Sequence, residues 1–300
     1  MKWLVTGARG MLGTDLVARL AAEGADVVAL DRASLDISHP YAVKEAVAAH
    51  RPDVVVNCAA WTDVDAAEED DRVFNVNSTA VGLLAEACEA TGARLVQISS
   101  DYVFPGHEPS DEDDETAPIN EYGFSKMWGE EAARKHESTY VVRTAWLYGA
   151  HGGNFVATMA RLAAEREFVD VVDDQIGQPT WTGDLADQIV RLAASGAPYG
   201  NYHGTNAGET TWYGLAREVF TLLGHDPERV RPTTTDRFPR PARRPMNSVL
   251  GHGAWARAGL EPMRDWREAL HAAWPHLALG RCPRPPPAFS AATPSRPRRS

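Results

Sequence analysis

Three evenly spaced glycines, Gly7, Gly10 and Gly13, stand between a short apolar run (residues 2–6, Lys-Trp-Leu-Val-Thr) and a helical pattern carried by Leu12, Leu16, Val17 and Leu20. A glycine junction of this kind between strand and helix allows a tight turn. It also lets a pyrophosphate approach the backbone at the helix N-terminus. The spacing therefore predicts a dinucleotide site at the start of the chain, formed by Gly7, Arg9, Gly10, Met11, Leu12 and Gly13. A second strand is predicted at 26–30, followed by Asp31-Arg32. An acid about 20 residues beyond the glycines suits a ribose 2′-hydroxyl, whereas Arg32 suits a 2′-phosphate, so NADH and NADPH both remain open. Asp36 and Ile37, ahead of the next helix, are expected to flank the adenine.

The pattern continues as alternating strands and helices. Residues 53–60 form an apolar run closed by small residues, with Ala59 and Ala60 at the end of a buried strand beneath the cofactor. A helix is predicted over 74–90, with Leu83, Leu84 and Ala87 inward. A strand at 94–100 brings Ser99 and Ser100 to its C-terminal end, the edge where doubly wound sheets bind ligands. Residues 105–121 are rich in Pro, Gly and acid and read as a surface loop. A further strand is predicted over 140–149. This alternation predicts an α/β fold, a Rossmann-type doubly wound parallel sheet.

Tyr122 and Lys126, four apart on one predicted helix, share a face. A phenol titrates near ~10, and a neighbouring ammonium lowers that value. With Ser100 they make a plausible proton-delivery set for a carbonyl oxygen.

Composition removes several classes of function. The net charge is −11, and the five arginines of residues 280–300 leave −16 for the rest, which argues against nucleic-acid binding. No run of ~18 apolar residues predicts a membrane span, and the N-terminus lacks signal-peptide regions, so a cytoplasmic protein is expected. Cys58, Cys88 and Cys282 are too few and scattered for a disulfide framework or a zinc site. Cys58 and Cys88 are expected to pack as small buried hydrophobes.

The stretches TGARGMLG (6–13), NCAAWTDVDAAE (57–68), SSDYVFPG (99–106), YGFSK (122–126), RTAWLYG (143–149), GGNF (152–155), VVDDQIGQPT (171–180) and RPMNSVL (244–250) occur in that order. With them the chain resembles the extended short-chain dehydrogenases/reductases, and among these the reductases of dTDP-linked 4-dehydro-6-deoxysugars. The resemblance covers roughly residues 2–275. It departs at Pro105, where an Asp is usual, and at Ser100, where many members have Thr.

The resemblance implies NAD(P)H-dependent reduction of the C4 ketone of dTDP-4-dehydro-6-deoxy-L-mannose to dTDP-L-rhamnose. Tyr122 would be the proton donor, Ser100 a hydrogen-bond partner of the same oxygen, and Lys126 a modulator of Tyr122 and a holder of the nicotinamide ribose. Thr62 and Asn77 join the expected cofactor set. Ser100, Asp101, Tyr102, Val103, Trp146, Asn154, Gln178 and Arg244 form the expected substrate set. A ketoreductase for another dTDP-deoxysugar and a non-catalytic nucleotide-binding regulatory subunit are the alternatives. Asp15 matches one carboxylate through which some relatives hold magnesium at a dimer interface. The remaining carboxylates have no match, so no metal ligands are assigned, and a monomer or homodimer is expected.

The expected organisation is a dinucleotide-binding domain over 1–150 with a returning segment near 181–195. A smaller α/β sugar-nucleotide domain is expected over 151–180 and 196–279. Over 151–279, helices are predicted at 157–165, from Trp181 to Ala194 (the returning segment) with Thr182 or Asp184 as cap, at 210–223, and between 254 and 273. Strands are predicted at 169–172 and 199–203, with a polar loop over 173–180. Arg240, Arg243 and Arg244, set among prolines, form the densest cationic cluster of the acidic body and suit a diphosphate. Residues 280–300, with six Pro and five Arg, read as a disordered tail.

Overall fold

A computed structural model describes residues 1–277 and 279. The predicted tail and Cys282 lie outside the described residues.

The first half alternates as expected: β1 (Lys2–Thr6), α1 (Met11–Ala22), β2 (Asp26–Leu30), α2 (Pro40–His50), β3 (Val54–Asn57), α3 (Arg72–Phe74), α4 (Ala80–Thr91), β4 (Arg94–Ser100), α5 (Glu121–Ala133) and β5 (Thr139–Thr144). The second half is more fragmented: β6 (Leu147–Tyr148), α6 (Phe155–Glu165), β7 (Val169–Val172), β8 (Ile176–Gly177), β9 (Thr180–Trp181), α7 (Thr182–Ser195), β10 (Gly200–His203), β11 (Thr210–Thr211), α8 (Trp212–Leu222), β12 (Val230–Thr233), α9 (Gly253–Arg257) and α10 (Trp266–Ala273).

Six strands form one sheet in the order β10-β5-β4-β3-β1-β2, and every pairing is parallel. Both faces are buried, which is why its strands read as near-continuous apolar runs. Side chains alternate between the faces. Trp3, Val5, Val54, Val56 and Val96 pack with Leu16 of α1 and Leu185 and Ile189 of α7. Leu4, Val55 and Leu95 pack with Val43 and Val47 of α2 and Leu84 and Cys88 of α4. Cys88 is buried and Cys58 only partly so.

A second core gathers Tyr148, Val156, Met159, Leu215, Phe220, Val230, Trp266 and Leu270. Three two-stranded ladders border it: β7 with β12, β8 with β11, and β6 with β9.

Several expectations change. The strand at 200–203, expected in the smaller unit, pairs with β5 of the central sheet, and Trp255 of α9 packs in the central core. The predicted 140–149 strand ends at Thr144. Trp146 takes φ +45°, a conformation that breaks an extended run, and β6 then leaves for another ladder. The predicted 74–90 helix carries a π turn at Asn75–Thr79. The polar loop at 173–180 contains β8 and the start of β9.

The helix expected from 210 begins at Trp212, where Thr211 is the cap. Neither Thr182 nor Asp184 caps α7. The Thr182 hydroxyl bonds Asp15 and the Tyr148 carbonyl, and Asp184 bonds Arg264 and Asn206.

Residues 105–121 are not simply solvated. Glu112 is buried: its Oε1 accepts from Ala254 N (2.9 Å) and its carbonyl from Arg143 and Asn201.

Candidate active site

The C-terminal ends of β1, β3 and β4 meet beside the glycine turn. Gly7 has φ +63°, and a Cβ there would stand 2.6 Å from Ala59 N. A Cβ on Gly13 would fall inside the Gly7 carbonyl oxygen. Gly10 begins α1 with no side-chain cap, and no acid lies in the first turn. Close backbone approach and an uncapped helix N-terminus without a carboxylate suit an anionic ligand such as a pyrophosphate. These residues fit a dinucleotide.

Asp31 at the end of β2 takes hydrogen bonds from Ala33 N and from Ser34 N and Oγ, and an ion pair from the exposed Arg9 (2.8 Å). The Ser34 bonds are the main cause holding its carboxyl below the usual range. Arg32 is exposed. Asp36 accepts from Ser38 N and Oγ, while Ile37 is buried. Thr62 is exposed and Ala60 partly so.

Beneath this edge a polar chain crosses the sheet. Thr6 Oγ1 donates to Asn57 Oδ1 (2.6 Å), Asn57 Nδ2 to Gln97 Oε1 (2.8 Å) and Gln97 Nε2 to Ile98 O (2.7 Å). Lys126 Nζ donates to the same carbonyl (2.7 Å). Asn77, in the π turn, exchanges bonds with the Trp61 backbone and donates to Ser125 Oγ (3.0 Å). Gly129 lets α5 approach that turn, since a Cβ there would strike the Asn77 carbonyl.

Helix α5 starts at Asn120, whose Oδ1 accepts from Gly123 N (2.7 Å) and whose Nδ2 donates to Arg243 O. This cap fixes Tyr122 in the first turn. Its ring meets Tyr102 edge-on with centroids 5.8 Å apart, and Ser100 is among the groups acting on the phenol. Ser100 Oγ also donates to Asp101 Oδ1 (2.9 Å). Lys126 is buried one turn further.

The electrostatics depart from the sequence reading. Burial pushes the Tyr122 phenol up to about 12, opposed by Ser100 and reinforced by Asp101; Lys126 is not among the groups acting on it. Burial also brings Lys126 down to about 8, with Glu130 opposing. The ammonium that was to acidify the phenol is itself desolvated and directed at Ile98 O. Tyr122 thus keeps its proton at neutral pH, as a donor must. Glu130 takes a bidentate bond from Arg143 of β5 (2.9 Å each) and another from Arg134.

Near Tyr102, Arg244 donates to Asp65 Oδ1 (2.9 Å), with Arg240 3.7 Å from the same carboxylate. Arg244 also lowers, and Asp65 raises, the Tyr102 phenol, whose value is raised overall by burial. Trp146 stacks on Trp212 at 3.5 Å and 7°, and its indole covers Gly177.

Three members of the expected substrate set have other engagements. Gln178 Oε1 accepts from Thr205 Oγ1 and Leu250 N, and its Nε2 donates to Leu250 O. Asn154 caps α6 and donates to Gly149 O. Val103 is buried with Phe104 and Leu250.

The sequence reading assigned no role to Asp65, Ser248, Glu130 or Trp212. Asp65 stood in a quoted motif, and Glu130 lies one helical turn past Lys126, so spacing was the available signal for both. Ser248 also stood in a quoted motif, and Trp212 reaches the site through its stack on Trp146 alone.

An all-parallel doubly wound sheet, a glycine turn opening α1, and a serine at the end of β4 facing a Tyr-x-x-x-Lys helix define an extended short-chain dehydrogenase/reductase. The model of the "RmlD substrate binding domain" family matches residues 1–278. A dTDP-4-dehydrorhamnose reductase of Streptomyces griseus is 54% identical, across 95% of this chain and 97% of the relative. A dTDP-4-keto-6-deoxy-D-glucose reductase of Streptomyces niveus is 52% identical, across 92% and 97%. The crystal structure of a Bacillus anthracis dTDP-4-dehydrorhamnose reductase in complex with NADP superposes with TM-score 0.88 at 40% identity, covering 91% of this chain and 99% of that one. The chain belongs to the dTDP-4-dehydrorhamnose reductase family, a family of oxidoreductases.

Proposed function

We propose that the protein reduces the C4 ketone of a dTDP-4-dehydro-6-deoxyhexose with a nicotinamide cofactor, giving dTDP-L-rhamnose from dTDP-4-dehydro-L-rhamnose. The observation that carries this reading is the Ser100–Tyr122 pair, set at the end of β4 beside the glycine turn. When bound, the reduced nicotinamide supplies the hydride. Gly7, Gly10, Gly13 and the N-terminus of α1 would hold its pyrophosphate, and Lys126 its ribose hydroxyls.

The chain's own residues do the rest. Tyr122 delivers its phenolic proton to the C4 oxygen, and Ser100 bonds that oxygen as negative charge develops. Arg244, held by Asp65, faces the diphosphate, and Trp146, backed by Trp212, forms a wall against the sugar. In this reading the parallel sheet holds the cofactor, and the region around the second core holds the sugar nucleotide.

Similarity to the Streptomyces niveus reductase favours a second reading, in which the substrate is a different dTDP-4-keto-6-deoxysugar. Each substrate, made enzymatically, is incubated with the protein and NADPH, and the product is identified by NMR. Rhamnose as the product supports the first reading. A product from dTDP-4-keto-6-deoxy-D-glucose alone replaces it with the second. No product from either overturns both.

A further inference from the structure

Residues 240–250 are bonded on two sides. Toward β8, Ile176 N donates to Met246 O and Ser248 N to Ile176 O. Toward the loops that follow β3 and β4, Ala242 N and Arg244 donate to Asp65 Oδ1, and Met246 N and Asn247 N donate to Gly106 O. Pro245 lies so close to Gly106 that a Cβ there would strike it. The segment is therefore a strap between the two regions, and Arg244 lies within it.

Asn120 ties this strap to the helix that bears Tyr122. Its Nδ2 donates to Arg243 O at 2.8 Å, and its Oδ1 accepts from Gly123 N at 2.7 Å. The side chain is 4% exposed, so each end needs its partner. The partners also fix which end faces which, since an N–H needs an acceptor and a carbonyl needs a donor. Capping alone does not ask for asparagine, because Asp and Ser cap a helix as well. Only the amide accepts at one end and donates at the other. A carboxylate has no donor, and a serine hydroxyl ends one atom short of Nδ2.

We propose that Asn120 is a positioning residue for the sugar nucleotide: from the start of α5 it holds the strap so that Arg244 meets the diphosphate. The inference rests on the ketoreductase reading. Arg244 is gripped at two places. Its guanidinium donates to Asp65 and to the Ala242 carbonyl, and the peptide that joins it to Arg243 is held by Asn120. Tyr122 stands two residues after Asn120, in the turn that the other end of the same side chain caps. The two tasks of Asn120 are separable by substitution.

Asn120→Asp and Asn120→Ser keep an acceptor for Gly123 N and lose the donor to Arg243 O, whereas Asn120→Ala loses both. For each full-length variant and wild type, calorimetry measures the affinities for dTDP and NADPH. Steady-state assays with NADPH and dTDP-4-dehydro-L-rhamnose give KM and kcat. In the two capped variants, dTDP affinity is expected to fall about tenfold, with KM for the sugar nucleotide rising alike. NADPH affinity is expected to hold, and kcat to stay within about twofold, because the cap that places Tyr122 is kept. Asn120→Ala is expected to add a lower thermal midpoint to the same loss of dTDP affinity.

Agreement between the neutral Ser variant and the charged Asp variant excludes simple repulsion of the diphosphate. Wild-type dTDP affinity in Asn120→Ser overturns the inference. So does a loss of NADPH affinity in step with that for dTDP, or a kcat that falls while KM holds. Wild-type protein that binds no dTDP instead removes the ketoreductase reading itself, on which the inference rests.

Discussion

The two walls of the candidate site are built by different means. On the cofactor side, motif residues act through what they lack: Gly7 and Gly13 leave out a Cβ that would strike Ala59 or Gly7, and Gly10 starts a helix without a capping side chain. On the side proposed to hold the sugar, motif residues act through what they hold. Gln178 spends its amide on Thr205 and Leu250, and Asn154 spends its own on the start of α6. A conspicuous polar residue on the second wall thus supports its own loops, and under the proposed function the contact surface falls to neighbours such as Trp146 and Arg244.

The largest expected effect tests the first wall. Gly13→Ala forces a Cβ into the Gly7 carbonyl, so the turn must open at a cost of about 3 kcal/mol or more. Calorimetry is expected to show NADPH binding lost; wild-type affinity would mean that the turn tolerates a side chain.

That wall was legible because its requirement is local. A glycine turn, its flanking strand and its helix lie within 22 residues, and apolar runs buried on both faces announce a parallel sheet. The second wall was only partly legible. Trp146 turns where an unbroken strand was expected, because its ring stacks on Trp212, 66 residues away, and covers Gly177. The 200–203 strand joins the central sheet through its pairing with β5, which no local pattern declares. The Ser100, Tyr122 and Lys126 set was readable as spacing and resemblance, but its electrostatics depend on burial, and burial reversed the expected shift of Tyr122.

Gln178→Ala sharpens the contrast. It leaves Leu250 N unpaired in a buried place, while the Thr205 hydroxyl keeps His252 Nε2, at a cost of about 1–3 kcal/mol. Denaturant unfolding is expected to show that loss while KM for the sugar nucleotide changes little. A large rise in KM at unchanged stability would return Gln178 to the contact surface.

Asp101→Asn is expected to act in the opposite sense on stability. An acid whose pKa is raised by folding destabilises the fold wherever it is ionised, so the cost is full above about pH 6 and vanishes below the unfolded value of 3.8. The variant is expected to gain about 3 kcal/mol at pH 7, and the gain is expected to shrink toward pH 4. A loss at pH 7 would show the carboxylate to be stabilising. The smallest effect belongs to Asn154→Ala, which removes the α6 cap and costs about 1 kcal/mol in thermal unfolding; a rise in KM without that loss would make Asn154 a substrate contact.

The central claim is that the two walls meet at a tyrosine that gives its proton to a sugar ketone. Its most direct test is NADPH oxidation with dTDP-4-dehydro-L-rhamnose, followed by absorbance, for wild type and Tyr122→Phe. Wild type is expected to oxidise one NADPH per sugar reduced. The variant is expected to bind NADPH as wild type does and to turn over about 100- to 10,000-fold more slowly. Equal turnover by the two proteins would contradict the account.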